Sequence, residues 1–135
     1  MIATNFQKIE DFQKAAGAKR PSSPSLPDLD ILKFRLKLIS EEYEEVREVI
    51  RRISVEGKTS EADDLAALAH ELADLLYVVY GTFSACGIEA DLVFDEIHRA
   101  NMAKMDGPRR ADGKLLKPPG WKPADVAAQL AKMIT

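Results

Sequence analysis

The sequence predicts an all-α protein built on three main helices, with short helices near both ends. Apolar residues recur at three- and four-residue spacing over long stretches, and nothing alternates as a strand would apart from a few residues near Leu115. The helix formers Ala, Leu, Glu and Lys are abundant. Gly57, Gly87 and the run Asp106-Gly107-Pro108 fall where the periodicity breaks.

Taken in order, residues 5–16 carry Phe6, Ile9 and Phe12 at helical spacing and form a short amphipathic helix. The prolines and serines of "RPSSPSLPD" forbid a helix there and mark a connector. The first long helix runs from about Ile31 to Ser54, with Asp28 or Asp30 as its cap, and ends before Gly57. The second starts near Ser60, whose hydroxyl caps towards Asp63, and runs to about Ala85, before Gly87. Asp91 caps a third, which reaches about Met105 and stops at "DGP". A basic Gly/Pro-rich loop follows, and "PADVAAQLAKMI" closes with a short helix whose first turn holds Pro123. No solenoid repeat is present.

The 135 residues suit one domain, 1–135, with a core of its own. A net charge of −3 gives no reason to expect nucleic acid or a membrane surface as partner. No segment is long and uncharged enough to span a bilayer, and the first residues lack a signal-peptide core. The single Cys86 has no partner for an internal disulfide and no metal-site spacing. A cytoplasmic protein is the simplest expectation.

Function is written in the carboxylates. On a helical wheel of residues 31–54, Leu36, Leu38, Ile39, Tyr43, Val46, Val49, Ile50 and Ile53 share one broad arc. Glu42 falls inside that arc and Glu45 on its edge; Glu41 lies just beyond. Glu44 and Glu48 turn to solvent, where pairs such as Glu48 with Arg52 stitch the surface. Arg35 also points inward, two turns before Glu42, either as a structural partner to that carboxylate or as a phosphate ligand.

The second long helix repeats the pattern. Its core stretch "LAALAHELADLLYVVY" carries Glu71 and Asp74, three residues apart on one face. A buried carboxylate costs several kcal/mol unless compensated, and a second beside it makes matters worse. This stretch holds no Lys or Arg, and His70, about 100° away from Glu71 on the wheel, does not neutralise it. Packing the two helices antiparallel brings Glu42, Glu45, Glu71 and Asp74 together. A hard divalent cation, Mg²⁺ or Mn²⁺, compensates such a set, whereas no His/Cys cluster competes for zinc. A buried, partly protonated carboxylate pair is the structural alternative. Carboxylate-held Mg²⁺ with open positions usually serves phosphates.

Cationic groups should then stand nearby. On the third helix Val93, Phe94, Ile97, Ala100 and Met105 form the inward arc, and Asn101 and Lys104 sit within it, while Asp95, Glu96 and Arg99 face outward. His98 lies on the margin as a structural residue. Residues 105–122 make a basic loop with Arg109, Arg110, Lys114, Lys117 and Lys122 around Trp121. It is either a lid, with Lys117 on phosphates and Trp121 over a base, or a solvated loop whose Trp anchors the last helix.

The patterns "EEYEE" at residues 41–45 and "ELAD" at residues 71–74 resemble those of the all-α NTP pyrophosphohydrolases. That superfamily includes MazG-like proteins, dimeric dUTPases, dCTP pyrophosphatases and phosphoribosyl-ATP pyrophosphohydrolase. "GIEADLVFDEIHRANMAKMDG" with "DGKLLKPPGWKP" resembles a single-domain branch labelled phosphoribosyl-ATP pyrophosphohydrolase-like. The resemblance spans Phe6 to Pro123. It implies a four-helix-bundle-type MazG-like fold completed by dimerisation, as a homodimer or dimer of dimers, and Mg²⁺-dependent release of pyrophosphate. By that matching Glu42, Glu45, Glu71 and Asp74 are metal ligands, Glu41 activates water or holds a further metal, and Asn101 and Lys104 contact substrate. The "NMAK…GW" tail departs from phosphoribosyl-ATP pyrophosphohydrolases proper. Hydrolysis of nucleoside triphosphates, of the dUTP or non-canonical dNTP kind, is therefore favoured over phosphoribosyl-ATP.

The expected reaction is in-line attack of water at the α-phosphorus, giving a nucleoside monophosphate and pyrophosphate. A non-catalytic helical dimer is the rival from another class, and the four retained acidic positions argue against it. A di-iron bundle needs Glu-x-x-His pairs, which are missing.

Overall fold

The structure, a computed structural model, describes residues 2–134. Five helices follow in order: α1 Asn5–Ala15, α2 Leu29–Glu56, α3 Glu61–Ala85, α4 Ala90–Met102 and α5 Val126–Ala131. No strand forms among the described residues; an isolated bridge between Arg109 and Leu115 is all that comes of the extended stretch there.

The long pair α2–α3 is the frame. Its hairpin is closed by charge as well as by packing. Arg52 reaches across from α2 to Asp64 of α3 (2.8 Å), and Asp64, 6% exposed, also accepts from the backbone N–H of Thr59 (3.0 Å). Arg52 is thus not the surface partner of Glu48 expected from the sequence; Glu48 pairs with Arg51 instead. The Ser60 hydroxyl accepts from the N–H of Asp63 (3.1 Å), as its capping position requires.

The short helix α1 lies along α3. Phe6 is fully buried against Tyr80, and Phe12 meets Tyr77 edge-on. A capping box between Thr4 and Gln7 starts α1. Thr4 also donates to Asp91 (2.7 Å), so Asp91 belongs to the first turn of α4 and is not its cap; Glu89 holds that position. The connector packs rather than dangles. Ser25 N–H bonds Cys86 C=O (2.9 Å), and Gly87 (φ +67°) lets the chain pass so close that a Cβ there would meet Ser23 O at 2.6 Å.

The tail folds back on α4. Trp121 Nε1 donates to Ala100 C=O (2.7 Å), and Asp125 N–H donates to Glu96 (3.0 Å), which Arg99 also grips. Glu96 is therefore a partly buried latch and not the outward residue the wheel suggested. α4 ends at Met102 and gives way to turns, and α5 begins beyond Pro123, capped by the Asp125 side chain on Ala128 N–H (3.0 Å).

Part of each expected apolar arc is uncovered. On α2 the covered stripe is Leu32, Arg35, Leu38, Ile39, Glu42, Val46, Val49 and Ile53; Leu36, Tyr43 and Ile50 are exposed. On α4, Val93 and Ala100 are buried whereas Phe94, Ile97 and Met105 are exposed. α3 covers one side of α2 only, and nothing among the described residues covers the other. No single helix among the described residues is long and apolar enough to cross a membrane.

Candidate metal centre

Glu42 stands at the middle of the α2–α3 seam, and its pKa tells what surrounds it. Burial pushes it above the ordinary carboxylate value, and the charges of Asp74, Glu71, Glu45 and Glu41 push it further. Four acidic side chains, two from each helix, thus act on Glu42. The cause is the antiparallel hairpin, with two pairs three residues apart, Glu42/Glu45 and Glu71/Asp74, each presenting one face of its helix.

No lysine or arginine forms an ion pair with any of these five among the described residues. Glu44 and Glu48, by contrast, are each satisfied by an arginine one turn on. Of the two glutamates the wheel sets in or beside the apolar arc, Glu42 is partly covered whereas Glu45 is exposed, like Glu41, Glu44 and Glu48, because α3 covers only the Glu42 side of the helix.

One contact departs from expectation. His70 Nε2 lies 3.1 Å from Asp74 Oδ2, so the imidazole does touch the cluster. The wheel angle between His70 and Glu71 hid this; the relevant spacing is i,i+4 to Asp74. Ligand atoms of His70, Glu71 and Asp74 all lie within 4.8 Å of one another. Carboxylate oxygens with one imidazole at the rim, gathered without a cation of the protein's own, suit a hard or borderline divalent ion.

The other expected site residues are elsewhere. Arg35 is buried but does not meet Glu42. Its guanidinium donates to Thr82 Oγ1 (3.2 Å) and Val78 C=O (2.8 Å), two turns along the seam. Asn101 is exposed at the end of α4. Lys104 and Lys117 both lie over the Trp121 ring, at 4.9 and 5.2 Å from its centre. No hydrogen bond or ion pair joins Asn101, Lys104, Lys117 or Trp121 to the carboxylates among the described residues. They form a second group on α4 and the tail.

The family model of phosphoribosyl-ATP pyrophosphohydrolase matches residues 9–101, from within α1 to near the end of α4. No curated protein matches the chain. The match takes in both carboxylate pairs and the hairpin that joins them, and leaves out the Trp121 tail. On this evidence the chain belongs to the phosphoribosyl-ATP pyrophosphohydrolase family, hydrolases of phosphoric anhydrides within the all-α MazG-like NTP pyrophosphohydrolase superfamily.

Proposed function

We propose that the chain hydrolyses a nucleoside triphosphate to the monophosphate and pyrophosphate, with dUTP or a non-canonical dNTP as the natural substrate. The observation that supports this best is the convergence of Glu42, Glu45, Glu71 and Asp74 with no lysine or arginine among them. These four would hold Mg²⁺, with Mn²⁺ able to replace it. Once bound, the ion supplies charge against the phosphate oxygens and acidity to a water.

The protein's own contribution is placement and a base. Glu41 is exposed beside Glu42 and forms no ion pair among the described residues, so it can take the proton of the attacking water. The new P–O bond forms at the α-phosphorus, the bridge to the β-phosphorus breaks, and pyrophosphate leaves. His70 holds one oxygen of Asp74, which keeps the other oriented towards the centre.

The exposed apolar faces of α2 and α4 support a homodimer in which a second α2–α3 pair completes a four-helix bundle. In that assembly Asn101, Lys104, Lys117 and Trp121 contact substrate at a carboxylate centre of either copy, and residues 105–122 act as a lid. The setting is cytoplasmic, with no nucleic acid or membrane as partner.

The family match gives phosphoribosyl-ATP equal standing as a substrate. Turnover of that compound against a panel of NTPs and dNTPs separates the two. A preference for one dNTP supports the first reading, and a preference for phosphoribosyl-ATP replaces it.

A further inference from the structure

The carboxylate centre carries one nitrogen. Glu41, Glu42, Glu45, Glu71 and Asp74 offer oxygen alone, whereas the imidazole of His70 stands with Nε2 3.1 Å from Asp74 Oδ2. The chain holds two histidines. The other, His98, is exposed on α4 and pairs with no carboxylate among the described residues.

The placement follows from the helix. Residues i and i+4 share a face, a spacing at which two side chains of one helix can grip a single ion. Glu71 is next in the chain, and one ligand atom from each of His70, Glu71 and Asp74 lies within 4.8 Å of the others. Two ligands about 2.1 Å from one ion, between a right angle and a tetrahedral angle, stand about 3.0–3.4 Å apart. The His70–Asp74 separation of 3.1 Å falls in that range, so α3 need not rearrange for both to hold one ion.

Little else restrains the ring. Its side chain is 71% exposed, and Asp74 is its one ionic partner among the described residues. The imidazole is therefore free to exchange that hydrogen bond for a metal bond.

Divalent ions differ in what such a nitrogen is worth to them. Mg²⁺ takes oxygen, keeps several waters and gains little from imidazole. Zn²⁺ takes imidazole nitrogen together with carboxylate oxygen, and three protein ligands suffice to hold it with a position left open.

We propose that His70 makes this centre discriminate among divalent ions, adding a nitrogen ligand beside Glu71 and Asp74 for a borderline ion such as Zn²⁺. Mg²⁺ leaves the imidazole on Asp74 as an outer hydrogen bond. Zn²⁺ draws Nε2 into its own shell and competes with Mg²⁺ for Glu71 and Asp74. This role rests on the reading of the carboxylates as a metal centre, which the same titration checks separately.

The test is calorimetric titration of Zn²⁺, and separately of Mg²⁺, into the full metal-free chain at one pH. The imidazole nitrogen resonances of both histidines are followed by NMR alongside. Zn²⁺ should move the Nε2 resonance of His70 strongly and leave His98 in place, whereas Mg²⁺ should produce no such movement. His70→Gln should cost Zn²⁺ roughly tenfold more affinity than it costs Mg²⁺, and His98→Gln should change neither. Asp74→Asn should abolish the Zn²⁺-induced movement of His70. Equal losses for the two ions in His70→Gln overturn the proposal and leave His70 an outer hydrogen bond. So does a His70 resonance that ignores Zn²⁺, or one that still responds in Asp74→Asn. Binding of neither ion by the wild type overturns the metal centre itself.

Discussion

His70 and Asp74 are joined across one turn of α3, Nε2 to Oδ2 at 3.1 Å, on the rim of a cluster that otherwise contains only carboxylates. The contact engages Asp74 Oδ2 and leaves Oδ1 without a side-chain partner among the described residues, and orienting a carboxylate ligand in this way is the role outer hydrogen bonds usually play at metal sites. His70→Ala should therefore weaken Mn²⁺ binding by roughly tenfold to a hundredfold, read by calorimetry, with the helical content of the chain unchanged. Unchanged affinity would make the contact a surface pairing.

Metal should also be felt by the fold. The clustered charges of Glu41, Glu42, Glu45, Glu71 and Asp74 oppose one another in the metal-free chain. Mg²⁺ at about a hundred times its Kd should stabilise the folded state by about 2.7 kcal/mol, seen as a rise in Tm. Asp74→Asn should remove most of that rise.

The tail should release in acid. The Glu96 carboxyl is held down to about 2, first by its hydrogen bond from Arg99 and then by the N–H of Asp125. Its pKa is depressed in the fold, so its contribution is complete above the ordinary 4.5 and is lost as pH falls from there towards about 2. Trp121 is the single tryptophan and sits where this latch closes, so its fluorescence should shift over that window. In Glu96→Gln the shift in that window should vanish.

Packing of α1 rests on Phe6 and Ile9, the buried residues of that helix. Phe6 is 1% exposed and is the largest fully buried side chain. Phe6→Ala should cost about 3–5 kcal/mol in denaturant unfolding, whereas Phe12→Ala, half exposed, should cost clearly less. Asp64→Ala should lower Tm as well, because it strands Arg52 and the Thr59 N–H at the α2–α3 turn.

Much of this was legible in the residues. Periodicity and breakers placed the five helices to within a few residues, and the interruption of two apolar stripes by Glu42, Glu45, Glu71 and Asp74 is what nominates the α2–α3 seam as a candidate centre. The errors share a cause. A wheel describes one helix, and it cannot say which neighbour covers which part of an arc. Leu36, Tyr43, Phe94 and Ile97 are apolar and in phase yet exposed, because nothing among the described residues packs over them. Partners far apart in sequence were equally hidden. Arg52 goes to Asp64 rather than to Glu48, Thr4 claims Asp91, and Arg35 turns to Val78 and Thr82. The His70–Asp74 contact is readable at i,i+4, a spacing that the wheel angle between His70 and Glu71 does not show.

The central claim is that the α2–α3 carboxylates are a metal-dependent centre for phosphoanhydride hydrolysis. Pyrophosphate release should be measured for the wild type and Asp74→Ala across NTPs, dNTPs and phosphoribosyl-ATP, with Mg²⁺ and with EDTA. The account predicts release by the wild type in Mg²⁺, none in EDTA and none from Asp74→Ala. Undiminished release by Asp74→Ala, or by the wild type in EDTA, would contradict it.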